Sequence, residues 1–576
     1  MTENIQSFAD TPQGYRGGGR RLTSRIWRNS NLRASAVVFA ILCVLFFFDK
    51  FVMYNVPGKI NLNGWIGLFY AVVAWAAIWT CPILLLGRRA YPLYAVVIPF
   101  EIVLVCVEWF TRTHFDMILT GSWVGIAMSS SWDEVAWFLS YYRTVFIASA
   151  VGLLALIAFV LFCFRCVKKT VVTRWTLGIC AAGLLALLGT SHVIGFSLWG
   201  MPRGFSVPSL VMGSFRHYQY WKELAQMVKN PKLPATIRST QGGRPAALGV
   251  FVLGESVTRN HWGLYGYSRE TTPEMSALTN DLVVFSDMVS IDGQTSDSMR
   301  SIFTTRTAED RFDVRWAMPQ ALSKAGTLAC VYSNQKRWAA CDSSDEVFSF
   351  AGCQPFLCMA EADETNKYDN VLLKYLDREL VRSEDNSIAS NSVVFLHLYG
   401  SHYHFSNRYP HVGAPFGTQT PKGVEGTEID HYDNSIWFTD KILGEVVRRL
   451  KATHRPAWMI YISDHGETPS SRGWRMATDN DCWEVPFVVW TSSEFNAAYP
   501  ERVAALRRAK DKPLQSDQLL YGLLRFMGVE GLGNAPEEDF LSDAFKPRTP
   551  RLILSGAAVY DPNAPRRDSD LCEAKE

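Results

Sequence analysis

Neither sign of charge dominates this sequence. Lys and Arg number 57 against 55 Asp and Glu, a formal net charge of +2. That balance excludes the large positive excess that bulk nucleic-acid binding requires. Cysteine is scarce, 12 in 576 residues, which rules out a disulfide-built mini-protein. The six cysteines after residue 200 (Cys330, Cys341, Cys353, Cys358, Cys482 and Cys572) contain no C-x-x-C pair. A cysteine zinc site is therefore not expected, although the even count permits disulfides in an oxidising compartment. Internal repeats and low-complexity tracts are also missing. With 48% hydrophobic and 19% charged residues, disorder is excluded as the dominant state.

What is present divides into two unlike parts, and the near-zero mean hydropathy averages over them. Five apolar stretches precede residue 200: Ala34–Phe48 continuing to about Val56, Gly64–Leu86, Tyr91–Phe110, Val145–Val167 and Trp175–Trp199. Crossing a ~30 Å hydrocarbon core takes about 20 helical residues. Four stretches meet that length, and the first does so if Asp49 and Lys50 sit at the interface. A cleavable signal peptide is the competing reading of the first stretch. No small-x-small site follows Phe48, and four further stretches do. Arg16, Arg20, Arg21, Arg25, Arg28 and Arg33, then Arg88 and Arg89, then Lys168, Lys169 and Arg174 all fall on one side of five spans. The positive-inside rule makes that side cytoplasmic and puts everything after residue 200 outside.

The expected organisation is a cytoplasmic Arg-rich tail at 1–33, a five-helix membrane domain at 34–200 and a junction at 201–245. An external domain follows at 246–576. The outward loop 111–141 mixes charges with Phe115, Trp123, Trp132 and Trp137, which suits interfacial helices or an aromatic belt. Glu101 and Glu108 lie within the third span, and ionisable residues at membrane depth are functional candidates. Glu108 is a candidate substrate contact near the outer end, where it could simply reach water; Glu101 is deeper, and either hydrogen-bonds a neighbouring helix or handles lipid. Pro202, Pro208, Pro231, Pro234 and Pro245 punctuate the junction, where His217–Lys229 reads as an amphipathic helix.

From Leu248 short apolar runs alternate with helix-like segments. Strands are predicted at Leu248–Leu253, Leu328–Tyr332, Val393–His397, Trp458–Ile462 and Val485–Trp490. Helices are predicted at Ser296–Thr304, Asn366–Leu380, Tyr432–Leu450 and Asp517–Phe526. Continuous apolar strands separated by helices indicate an α/β domain with a mostly parallel sheet covered on both faces. In such sheets, ligands bind at the carboxyl ends of strands. Three predicted strands run into Gly254-Glu255-Ser256, Gly400-Ser401-His402 and Ser463-Asp464-His465-Gly466-Glu467. The first and second are weak signals alone. An Asp-His pair ending an apolar strand, with Gly next, is more specific. Its carboxylate and imidazole suit zinc, with manganese the weaker fit.

These motifs carry a resemblance. GESVTRNHWGLYGYSRETTPEM (Gly254–Met275), HLYGSHYHFSNRYP (His397–Pro410), HYDNSIWFTDKIL (His431–Leu443) and SDHGE (Ser463–Glu467) resemble the bacterial phosphoethanolamine transferases of the alkaline-phosphatase/sulfatase superfamily. LYGYSRETTPE is most similar to the branch that modifies the lipopolysaccharide core. Five spans followed by an external catalytic domain fit the same family. The resemblance implies a multi-pass protein of the bacterial inner membrane with its catalytic domain in the periplasm. It implies transfer of phosphoethanolamine from phosphatidylethanolamine to a lipopolysaccharide acceptor, with zinc as cofactor and a monomer expected.

The family nucleophile is a threonine some forty residues after the Gly-Glu motif, and Thr295 falls there, with Ser296 and Ser298 as rivals. The resemblance makes Glu255, Asp464, His465 and the Thr295 oxygen metal ligands, and His402 a group near the substrate phosphate. Glu467 matches a family acidic residue. Asn334 and Lys336, after a strand, are candidate phosphate contacts. Departures from the pattern are equally specific. Gly473–Val485 lacks the family's further histidine, leaving Asp479, Asn480 or Asp481 in that space. The outward loop has Ser129-Ser130-Ser131 where relatives have Glu-Thr-Asn, and no cysteine lies near Thr295. Two other functions fit the same architecture: a phosphoglycerol transferase of the superfamily, and a catalytically silent membrane sensor or scaffold.

Overall fold

A computed structural model describes residues 225–564, except 310–313, 336–348, 355, 359–367, 386–390, 421–422, 470–479, 555 and 557, together with scattered positions between 39 and 222. The chain divides into two compact units. One comprises Met1–Val124 and Ala136–Phe215, the other Gly125–Val135 and Arg216–Glu576.

In the first unit, Gly87–Ala90 forms a 3-10 turn, and described positions between 136 and 158 are helical. Ile147, Val151 and Leu154 are all exposed there, spaced to lie on one helix face. Phe110 meets Tyr142 edge-on at 4.8 Å. Among the described residues, no helix is long and apolar enough to cross a membrane. Most of the five predicted spans, with Glu101 and Glu108, lies outside the described residues.

The second unit is built on a seven-stranded sheet. Its strands are β1 Leu248–Gly254, β2 Leu282–Val284, β3 Leu328–Ser333, β4 Phe356–Cys358, β5 Ser392–His397, β6 Ala457–Ser463 and β7 Phe487–Thr491. Their spatial order is β2-β7-β6-β1-β5-β3-β4. Pairing is parallel from β6 through β4 and antiparallel for β6–β7 and β7–β2. The mostly parallel expectation holds for the centre, with an antiparallel margin at one side. β1 is buried along its whole length, as a central strand covered on both faces must be. Gly249 within it faces Trp458 on β6, whose indole fills the volume a Cβ would occupy.

Helices cover both faces. They are α1 Pro273–Ala277, α2 Thr295–Phe303, α3 Met318–Lys324, α4 Val371–Asp385, α5 Glu428–Ala452, α6 Ser493–Ala498, α7 Pro500–Ala509 and α8 Leu520–Phe526. Alternate strand residues point to opposite faces. Phe251, Leu253, Phe395, Ile460 and Ile462 meet α2, α3, α7 and α8 on one side. Val250, Val252, Leu396, Met459 and Tyr461 meet α4 and α5 on the other. The 25-residue α5 starts at a capping box: Thr427 Oγ1 accepts from the Asp430 amide, and Asp430 Oδ2 accepts from the Thr427 amide. In register, Gly254 pairs with Ser463, and His397 with both Leu253 and Ser333. Four strands therefore end together at one edge of the sheet.

Candidate metal centre

Glu255 follows β1, Asp464 and His465 follow β6, and Thr295 opens α2. Ligand atoms of Glu255, Asp464 and His465 all lie within 4.8 Å of one another, and all three residues are buried. Thr295 Oγ1 is 3.1 and 3.2 Å from the two Glu255 carboxylate oxygens and 3.4 Å from His465 Nε2. His465 Nε2 also lies 3.4 Å from Glu255 Oε1 and 3.5 Å from Asp464 Oδ2. Four groups drawn from positions 255 to 465 of the chain thus converge on one point.

The protein holds each of these groups from behind. Asp464 Oδ1 accepts from the amides of Ser256 at 3.0 Å and His465 at 2.7 Å. Its Oδ2 is buried and has no hydrogen-bond partner among the described residues. An orphaned carboxylate oxygen is costly away from water. One aimed among an imidazole nitrogen, a second carboxylate and a hydroxyl is what a divalent cation would satisfy. His465 Nδ1 lies 2.8 Å from the Gly466 carbonyl, so it carries the donated proton and leaves the Nε2 lone pair for the cluster. Two carboxylates, one imidazole and one hydroxyl make a donor set that suits zinc.

Charge coupling within the group is strong. Burial alone would raise the Glu255 pKa, but the hydrogen bond and charge of His465 outweigh it and hold the carboxyl at about 2. Burial and the neighbouring Glu255 charge push Asp464 up to about 7. For His465, burial disfavours the imidazolium, yet the charges of Asp464 and Glu255 raise it to about 10. The negative potential that the two carboxylates concentrate at the His465 ring raises its pKa, and it equally favours a cation.

Other predicted residues fall into different places. The His402 ring stacks on Tyr399 with centroids 5.4 Å apart, and its charge helps lower Glu255. The guanidinium of Arg408 lies 3.7 Å over the Tyr399 ring and donates to the carbonyls of His402 and Tyr403. His404 takes a left-handed backbone conformation before the 3-10 turn Phe405–Asn407. Glu467 is buried, and its Oε1 accepts from the Thr468 amide at 3.1 Å. Asn334 belongs to the fold instead: its Nδ2 donates to Asp369 Oδ1, and Asp369 in turn accepts from the amides of Tyr399 and Gly400. Lys336 and Glu108 lie outside the described residues. Asp481 accepts from Asn260 Nδ2 at 2.7 Å, and Asn480 donates to the Asp561 carbonyl.

Gln335 was not foreseen. Its Nε2 reaches Glu255 Oε2 at 3.3 Å and the Leu398 carbonyl at 3.0 Å. The signal available was its position between the two named neighbours, two positions past the end of β3. Ser290 was also missed. Its Oγ lies 2.7 Å from the Asp464 carbonyl and 3.1 Å from Ser298 Oγ on α2.

The Sulfatase family matches over residues 248–529. Residues 248–529 form a sulfatase-family domain. All four clustered residues lie inside this sulfatase-family domain. Phosphoethanolamine transferase EptC of Escherichia coli K12 is 27% identical over 358 residues, covering 58% of this chain and 60% of that protein. Kdo(2)-lipid A phosphoethanolamine 7''-transferase of the same strain is 25% identical over 281 residues, covering 46% and 48%. The chain thus spans less than two thirds of the length of these relatives. In fold, it is similar to the integral membrane lipooligosaccharide phosphoethanolamine transferase A of Neisseria meningitidis. That match has a TM-score of 0.64 and 20% identity over 89% of this chain and 98% of that one. The C-terminal periplasmic domain of E. coli EptC gives a TM-score of 0.50, with 24% identity over 58% and 97%.

Proposed function

We propose that this protein transfers phosphoethanolamine from phosphatidylethanolamine to a lipopolysaccharide acceptor, a core sugar or lipid A, with Thr295 as nucleophile. One observation carries the reading: the Thr295 hydroxyl opens α2 within 3.4 Å of His465 Nε2 and nearer still to both Glu255 oxygens. The names of the similar transferases supply the group transferred and the class of acceptor. Glu255, Asp464, His465 and Thr295 would hold zinc, and bound zinc lowers the pKa of a hydroxyl and offsets charge on a phosphoryl oxygen.

The remaining work falls to the chain itself. Helix N-termini present amides without intrahelical partners, so α2 favours a phosphate beside Thr295. Thr295 Oγ1 donates toward Glu255, which sets its lone pairs toward the incoming phosphorus. A bond forms from Thr295 Oγ1 to phosphorus, and the bond from phosphorus to the diacylglycerol oxygen breaks. His402 is assigned to protonate that departing oxygen. An acceptor oxygen then attacks the same phosphorus and frees Thr295. Glu467 and Lys336 are assigned to the substrate headgroup, and Glu108 to the lipid. The five apolar stretches and their flanking charges support a place in the inner membrane, with the domain in the periplasm and a monomeric chain.

The test uses the full chain in detergent with fluorescent phosphatidylethanolamine. Release of fluorescent diacylglycerol that is lost in Thr295→Ala and on chelation, with a phosphoethanolamine adduct on the intact wild type, is the expected result. Release from phosphatidylglycerol alone would replace this reading with phosphoglycerol transfer. Release from neither lipid by zinc-loaded protein would leave a silent scaffold.

A further inference from the structure

Ser256 is the residue after Glu255, and all three of its polar groups are engaged. Its amide donates to Asp464 Oδ1 at 3.0 Å, and its hydroxyl donates to Glu255 Oε1 at 2.8 Å. Its carbonyl accepts from the Tyr432 hydroxyl on α5 at 2.8 Å. The residue is 2% exposed. Its φ is +57°, in the left-handed region, which a side chain with a Cβ occupies only at a cost. An extended strand continuing through position 256 would not turn the amide toward Asp464 and the carbonyl toward Tyr432 at once. The strained turn and the two carboxylate contacts therefore belong together.

The contacts also divide the carboxylate oxygens. Glu255 Oε1 is held by Ser256 and Oε2 by Gln335. Asp464 Oδ1 is held by two amides, one of them that of Ser256, while Oδ2 stays bare. One residue thereby orients two candidate ligands from adjacent strands, one its own neighbour and the other 208 positions further along the chain. We infer that Ser256 is a positioning residue for the metal centre, fixing Glu255 through its hydroxyl and Asp464 through its amide.

This inference rests on the metal-binding reading of the cluster and adds to it a residue outside the ligand set. Losing a partner behind a ligand typically weakens metal binding by ten- to a hundredfold. Two variants separate the hydroxyl from the turn. Ser256→Ala loses the hydroxyl and keeps the left-handed strain. Ser256→Gly loses the hydroxyl and relieves the strain, because glycine adopts positive φ freely. Zinc affinity would be measured on the full chain in detergent by competition with a chromophoric chelator. Thermal unfolding of the metal-stripped proteins would be followed alongside.

The expected result is a zinc affinity lowered about tenfold or more in both variants. Metal-stripped Ser256→Gly should melt no lower than Ser256→Ala. Wild-type affinity in a folded Ser256→Gly protein would overturn the inference and leave the metal reading standing. Failure of wild type itself to bind zinc would overturn both.

Discussion

The hydroxyl of Ser290 lies 2.7 Å from the carbonyl oxygen of Asp464. The same Oγ sits 3.1 Å from Ser298 Oγ, one turn along the helix that Thr295 opens. Ser298 Oγ donates to the Asp292 carbonyl, and Ser301 Oγ meets Ser516 Oγ at 2.8 Å. A line of buried hydroxyls thus fastens the helix that Thr295 opens to the loop that carries two candidate metal ligands. For Ser290→Ala we expect a stability loss of about 1–3 kcal/mol from the stranded groups. Displacing Thr295 should also lower kcat by about ten- to a hundredfold while KM changes little. Thermal unfolding and steady-state lipid turnover measure the two effects separately.

Asn334 and Gln335 are neighbours with different duties. Asn334→Ala removes a donor from Asp369, the carboxylate that also receives the Tyr399 and Gly400 amides. Stability should fall by about 1–3 kcal/mol with zinc affinity retained. Gln335→Ala frees Glu255 Oε2, and zinc affinity should fall by about tenfold. Equal effects of both substitutions on metal binding would contradict the assignment.

Gly466 has no room for a side chain. A Cβ there would stand 1.8 Å from the Asp481 carbonyl oxygen, a backbone atom. Its own amide donates to the Cys482 carbonyl, and its carbonyl holds His465 Nδ1. Gly466→Ala should destabilise by about 1–3 kcal/mol and weaken metal binding together, since moving either strand of contact turns the His465 ring. Calorimetry with and without added zinc would register both.

Asp440 provides a pH test away from the cluster. It sits on α5 and accepts from the amides of Glu274 and Met275 at the start of α1. Burial pushes its pKa from the ordinary 3.8 to about 7. Between about pH 4 and pH 7 the native state keeps a proton that the unfolded chain has already lost. The contribution of this group to stability therefore falls as pH rises through that window and is level outside it. Asp440→Asn removes the titration. Its melting temperature relative to wild type should climb from pH 4 to pH 7, and a constant difference would refute the assignment.

The central strands were readable because they are buried on both faces and so appear as unbroken apolar runs. Leu248–Leu253 and Trp458–Ile462 are each within a residue of β1 and β6. The margins were not readable. β2 and β4 have three residues each, too few for periodicity to show. β7 reads like the parallel strands yet runs antiparallel, since burial sets composition while direction depends on the connection. Helices α1, α3, α6 and α7 were not legible either, and α1 has only five residues. α3 and α6 are short, and α7 follows α6 across a single residue, Tyr499. The four clustered residues were legible through strand ends and motif spacing. Gln335 and Ser290 were not, because an amide or hydroxyl that orients another residue leaves no pattern of its own.

The parallel pairing of β1 with β6 has a kinetic side. Ser256 and Asp464 meet across a sequence separation of 208. Closing so long a loop precedes any reward from the contacts it brings, and chains dominated by such pairings fold slowly. Until β1 and β6 are in register, Glu255 lies in one half-formed segment and Asp464 with His465 in another, so no early intermediate presents the complete donor set. A bound ion would then act on the completed domain alone. Its stabilisation would appear as a slower escape from the native state, leaving the speed of arrival unchanged.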